Sequence, residues 1–188
     1  MLLVVLIGAA LLALGTFLFN RLVGLKNRAE SAWSDIDVQL KRRHDLVGNL
    51  VETVRGYATH EKSTLEEVTR LRSRAEDQRG AGMPMSAGIA EAALMARMGS
   101  LLAIVEDYPE LKASARFMDL HRSLTEVEDD IQQARRYYNA VVRDLNTRVQ
   151  SVPDLLVAGP FGFKQWEFFQ LDDPTEAAAP QIDLEPGS

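Results

Sequence analysis

The feature that most constrains the fold is one apolar stripe running from Leu22 to about Ala75. Apolar or small residues recur at Leu22, Leu25, Ala29, Ala32, Ile36, Val47, Leu50, Val54, Tyr57, Leu65, Val68 and Ala75. The steps are three, four or their sums, the spacing of a single helical face, and the alternation of a strand is absent. A pattern this long is not stable as an isolated helix and must bury its stripe on partner helices. The chain supplies them downstream. From about Lys112, the residues Phe117, Leu120, Leu124, Val127, Ile131, Ala134, Tyr138, Val141, Leu145 and Val149 alternate steps of three and four without a miss, which is heptad spacing. Between the two stripes, Ile89 to Tyr108 is rich in Ala, Met and Leu. It predicts a further helix, ending before Pro109 because the residue ahead of a proline is pushed out of helical geometry. The fold class is all-α, with an antiparallel bundle of long helices over residues 21–151.

Several breaks are legible. Gly48 costs about 1 kcal/mol relative to Ala in a helix interior and marks a place for a bend. Ser63 and Glu66 have capping-box spacing, which predicts a restart between Thr59 and Ser63. The string GAGMPMSAG from Gly80 to Gly88 reads as a loop, and Pro153 ends the last long helix.

Ahead of the bundle, Leu2 to Phe19 contains no charge. At 1.5 Å per residue it spans roughly 27 Å, close to the hydrocarbon thickness of a bilayer. Residues 1–20 are therefore read as a transmembrane helix, with Leu2, Leu6, Leu11, Phe17 and Phe19 among its membrane-spanning positions. A secretory signal peptide fits less well, because no basic residue precedes the run and no small-x-small site follows it. Only the amino group of Met1 lies before the run, while Arg21, Lys26 and Arg28 follow it. The positive-inside rule then places residues 21–188 in the cytoplasm, as a single-pass membrane protein.

Charge and composition bound the function. The net charge is −6, and five of those charges lie in the segment 172–188, which carries Asp172, Asp173, Glu176, Asp183 and Glu185 with no Lys or Arg. That tail is expected to be disordered, having too little apolar surface to offset the entropy of ordering. The nearly balanced body gives no electrostatic reason to expect nucleic acid. The chain has no cysteine, which removes disulfides, thiolate metal sites and thiol catalysis.

No reaction is spelled by the remaining candidates. His60 and Glu61 begin like a zinc-protease motif, but Thr64 stands where the second histidine belongs. His44 and His121 lack ligand spacing, no Glu-x-x-His pair occurs, and GAGMPMSAG has neither the Lys nor the hydroxyl of a nucleotide loop. The chain thus reads as non-enzymatic, without a metal or other cofactor. Arg43 falls near the seam, three residues after Leu40 and four before Val47. With Asp37, Arg135 and Asp144 it is a candidate polar layer of the bundle, against the alternative of a solvated helix face. Between residues 152 and 171 an aromatic-rich segment carries Phe161, Phe163, Lys164, Trp166, Phe168 and Phe169. If the last long helix returns antiparallel to the first, these residues come back toward the membrane. They are candidates for a headgroup-level contact, or for capping the bundle or a neighbouring subunit.

Four blocks carry a resemblance: RRHDLVGNLVETVRGYATHE, DYPELKA, RRYYNAVVRDLN and VAGPFGFKQWEFF. In this order they resemble the LemA family of bacterial membrane-anchored helical proteins, from the membrane helix to about Phe169. One departure is Gly48, where the family's first block usually has proline. The resemblance implies one N-terminal membrane segment and an antiparallel bundle, in a family largely without an assigned biochemical activity. Family members associated with magnetosomes are linked to membrane invagination. Some relatives carry a lipobox cysteine at the same end, which this chain lacks. The leading expectation is a scaffold that self-associates as a homo-oligomer on the lipid bilayer and organises or remodels it. The alternative is an adaptor for envelope stress, protein quality control or signalling, whose acidic tail recruits another membrane protein.

Overall fold

In the computed structural model, which describes residues 1–58 and 60–169, six helices and no strand occur among the described residues. Helix α1 runs unbroken from Leu2 to Arg55. It is followed by α2 (Lys62–Gly80), α3 (Pro84–Val105), the single turn α4 (Pro109–Lys112), α5 (Ala115–Gln150) and the single turn α6 (Leu155–Ala158). The acidic segment 172–188 lies outside the described residues.

Paired residues give the directions. Leu22 packs with Leu145 and Val149, the Trp33 and Tyr138 rings meet, and Arg42 faces Glu126 and Asp130, so α1 and α5 are antiparallel. Asp37 meets Arg79 and Gly48 lies against Arg72, which makes α2 antiparallel to α1. Farther from the apolar run, the core is built from Val47, Leu50 and Val54 of α1, Leu65 and Val68 of α2, and Leu94, Met98 and Leu101 of α3. Nearer that run, Ala29, Ala32, Ile36 and Leu40 meet Val127, Ile131, Tyr138 and Val142 of α5. Every residue of the leading stripe up to Val54 is buried except Leu25, which is half-buried.

The structure corrects several boundaries. Tyr57 does not continue the stripe: α1 stops at Arg55, the chain turns, and Tyr57 is exposed while Ala58 enters the core. Gly48 lies within continuous helix, and its missing side chain makes room for a partner. A Cβ there would come within 3.2 Å of the Arg72 guanidinium. No capping box forms at Ser63 and Glu66, because α2 begins at Lys62 and Glu66 instead lies 3.7 Å from the Lys62 ammonium. The expected Gly80–Gly88 loop shrinks to Ala81–Met83. Pro84 opens α3, where its fixed φ suits the first turn and its missing N–H is not needed, and Gly82 turns the chain at φ 68°. So α3 starts five residues before Ile89. Helix α5 starts at Ala115 rather than Lys112, with the Ser114 hydroxyl accepting from the Phe117 N–H as an N-cap.

Candidate functional site

The residues from Leu2 to Phe17 stand clear of the bundle, and Leu18 is the first buried side chain. Leu2, Leu6, Leu11 and Phe17 are 60–76% exposed. A helix apolar on every face with no protein around it is matched to lipid rather than to water. By length and composition α1 can cross a membrane; α3 passes the same test less strongly, yet its inner face is built into the bundle.

At the foot of the bundle, α5 and α6 return to this level. The Val152–Pro153 bond is cis, and α6 then leads into an extended segment that doubles back along α5. Phe161 and Phe163 lie against Phe19, with ring centroids 4.9 and 5.8 Å away. Beyond them, α5 clips the segment by its backbone. Asn146 donates its amide to the Trp166 carbonyl (2.9 Å) and accepts from the Trp166 N–H (2.8 Å). One heptad earlier, Asn139 does the same with the Phe169 carbonyl (3.1 Å) and N–H (3.0 Å). The Tyr138 hydroxyl donates to the Glu167 carbonyl at 2.8 Å. Burial first, and the Glu167 charge second, raise the Tyr138 pKa well above the usual tyrosine range.

The aromatic segment therefore divides. Phe169 is buried, and its ring meets Trp33 at 5.6 Å. Trp166 and Phe168 are half-buried against the same core. These three cover the bundle, and Trp166 also reaches the foot cluster of Leu22, Leu145 and Val149 beside Phe163. Phe161 is exposed and Lys164 is exposed, while Phe163 is half-buried against Leu22 and Leu145. Only this part lies beside the apolar run. The two asparagines were missed at sequence level, although their spacing of seven on the flank of a heptad is the signal that would have found them.

The polar layer has different members from those expected. Arg43 is 3% exposed and donates to Glu91 of α3 at 2.9 Å and to Glu128 of α5. His44, equally buried, brings Nε2 within 2.7 Å of the other Glu91 oxygen, and its Nδ1 has no partner among the described residues. Asp37 is paired with Arg79 of α2 at 2.6 Å. Asp144 is exposed near the foot, and Arg135 is half-buried seven residues beyond Glu128. Neither is the partner of Arg43. Glu91 was missed, although a lone carboxylate in an otherwise apolar stretch is a recognisable mark of a buried pair. This node ties α1, α3 and α5 together at one level. His60 is exposed, and His121 is exposed with its ring 5.9 Å from Phe117. Among the described residues no group of three or more His, Asp or Glu is arranged to hold a metal ion.

A continuous helix leaving an antiparallel bundle as a bare apolar rod, with residues 163–169 strapped back onto the bundle, is the arrangement to set beside known proteins. The LemA family model matches residues 32–184. The protein belongs to the LemA family. Magnetosome protein MamQ 1 of Paramagnetospirillum magneticum is 26% identical over 176 residues, covering 81% of this chain and 64% of the relative. Magnetosome protein MamQ of Magnetospirillum gryphiswaldense is 27% identical over 174 residues, covering 80% and 64%. Protein LemA of Metamycoplasma hominis is 26% identical over 172 residues, covering 87% and 76%. The chain thus spans a little under two thirds of the length of the magnetosome relatives. With its exposed apolar helix, this LemA-family chain is a membrane-associated protein.

Proposed function

We propose that this LemA-family protein is a non-enzymatic scaffold of the bacterial inner membrane, whose bundle self-associates on the cytoplasmic side and organises or remodels the bilayer. The observation that carries this reading is the continuity of α1. The apolar run and the first strut of the bundle are one helix of 54 residues, roughly 80 Å long at 1.5 Å per residue. A domain that only needs tethering can hang from a flexible linker. A continuous helix instead couples the tilt of the membrane segment to the orientation of the bundle, as imposing a shape on a bilayer requires. The cytoplasmic placement is supported by Arg21, Lys26 and Arg28, which follow the apolar run.

Self-association has a surface to use. The outer side of α3 presents Met85, Ile89, Ala93, Ala96 and Ala103, all exposed. The two charged residues of α3 are turned elsewhere, Glu91 into the core and Arg97 toward Glu67 at 2.7 Å. An uncharged apolar helix face is the composition of a protein contact. Similarity to MamQ proteins, named for the magnetosome, is in keeping with a membrane-organising role.

Negative-stain imaging of the full-length protein in liposomes tests the proposal. Regular rings or coats that change liposome shape are expected, and Ile89→Glu with Ala96→Glu should abolish them while the helical circular dichroism remains. Monomers or dimers on smooth vesicles would overturn the scaffold.

A further inference from the structure

Where α1 leaves the apolar run, an open groove of about 740 Å³ separates it from the end of α5 and the turn into α6. Its α1 wall carries Arg21 and Arg28, two helical turns apart, with Gly24 between them. Gly24 forms the floor: a Cβ added there would meet nothing within 4 Å. Neither Arg21 nor Arg28 has an ion-pair partner among the described residues. Across the groove stand Arg148, Ser151 and Val152. Two acids share the site. Asp154 is buried and faces the Arg148 guanidinium at a loose 3.4 Å, and Asp144 is exposed at the edge. Three guanidinium groups against two carboxylates leave a net positive groove, with Arg21 and Arg28 uncommitted.

The level of this groove in the membrane is fixed by its neighbours. Phe161 lies tilted against Phe19, the last residue of the apolar run, and Asn20 and Arg21 follow immediately in the groove wall. The groove's own lining includes a bare apolar residue, Val152, 73% exposed, and Leu156, one turn farther along the chain, is 70% exposed. An arginine-lined cleft with an apolar rim, at the boundary between lipid and water, matches one amphiphile. A phosphodiester carries a negative charge that two guanidinium groups can bind with short charge-assisted hydrogen bonds. The acyl chains attached to it need an apolar surface on the membrane side. We propose that this groove binds the headgroup of an anionic phospholipid, with Arg21 and Arg28 on the phosphate, Gly24 admitting it, and Val152 against the chains. The lipid would pin the foot of α5 and α6 to the bilayer as a second contact beside α1. This rests on the reading of α1 as the membrane span, and it does not depend on scaffolding.

The test uses the full chain in nanodiscs of equal phosphatidylglycerol and phosphatidylcholine, released for native mass spectrometry to count retained lipids. Retention of phosphatidylglycerol about tenfold over phosphatidylcholine is expected: both carry the phosphodiester, but the choline cation brings a second positive charge up to a net positive groove and weakens binding there. Gly24→Leu fills the groove without crowding the helix and should bring the ratio near one at unchanged melting temperature. Arg21→Gln with Arg28→Gln should do the same by a different route. Inorganic phosphate at about ten millimolar should leave the ratio unchanged, because it lacks the chains. Equal retention of the two lipids, a ratio untouched by both variants, or displacement by inorganic phosphate would overturn the lipid site. A chain that enters neither type of nanodisc would overturn the membrane span itself, a result distinct from the loss of lipid preference.

Discussion

Residues 2–17 and 18–55 belong to the same uninterrupted helix, yet what stabilises them differs. In the first part almost every side chain is apolar and exposed, so the helix depends on lipid to cover it. In the second, one stripe is buried on α2, α3 and α5, and the remaining faces carry Lys26, Glu30, Lys41 and Asp45, all exposed. Backbone hydrogen bonding is common to both, so it cannot be what distinguishes them. The solvent each part is matched to does that. Charge should therefore be tolerated in one place and ruinous in the other, according to what surrounds it.

Leu6→Arg with Leu11→Arg sharpens the contrast most. Two arginines in the hydrocarbon cost about 5–7 kcal/mol on insertion scales. The expected result is loss of the protein from carbonate-washed membranes, with the bundle's thermal unfolding retained in the released chain. Arg43→Leu works the other way, since it removes a charge that its surroundings require. Glu91 would be left buried with only His44 beside it, at a cost of about 3–5 kcal/mol. The melting temperature should fall sharply with membrane association unchanged, and adding Glu91→Leu should recover most of the loss. Recovery is the informative part, because it separates a paired charge from mere packing. Asn139→Leu tests whether the returning strap belongs to the bundle half. It leaves the Phe169 N–H and carbonyl unpaired, costs about 1–3 kcal/mol, and should free the segment to protease before the helices unfold.

The smallest effect concerns Tyr138. Its folded pKa is raised, so the folded state holds the phenol proton more tightly than the unfolded chain. Its contribution is complete below the unfolded pKa and is lost as pH rises from there through the folded value. Between about pH 10 and pH 11.5, wild-type stability should fall more steeply than that of Tyr138→Phe, by about 1 kcal/mol per pH unit. Equal slopes in denaturant titrations would show that the hydroxyl is not held as described.

How far the sequence could be read follows from the same contrast. Both apolar patterns were legible, since a run with no charge and a stripe at three-four spacing each reflect one solvent condition along one element. Partners across the bundle were not. Arg43 announces by its register that it is buried, but nothing local says that Glu91, 48 residues away, will face it. Tyr57 kept the stripe's spacing after the helix had ended, because periodicity does not report a turn made by the backbone at Gly56. The aromatic segment was legible as a cluster but not in its division: composition groups Phe161 with Phe169, and only the Asn139 and Asn146 clips set one at the foot and the other in the core.

Because the chain has no cysteine, single cysteines can carry spin labels without background, and their depth in a bilayer can be read from accessibility to oxygen and to a polar nickel complex. Labels at Leu6, Leu11, Phe17, Val152, Met95 and Val38 of the reconstituted full-length protein test the two-solvent account of α1 directly. The account predicts greatest depth near Leu11, headgroup level at Val152, and water at Met95 and Val38. A water-exposed Leu11, or a Met95 as deep as Leu11, would contradict it, the second by showing that α3 rather than the bundle's foot is what enters the membrane.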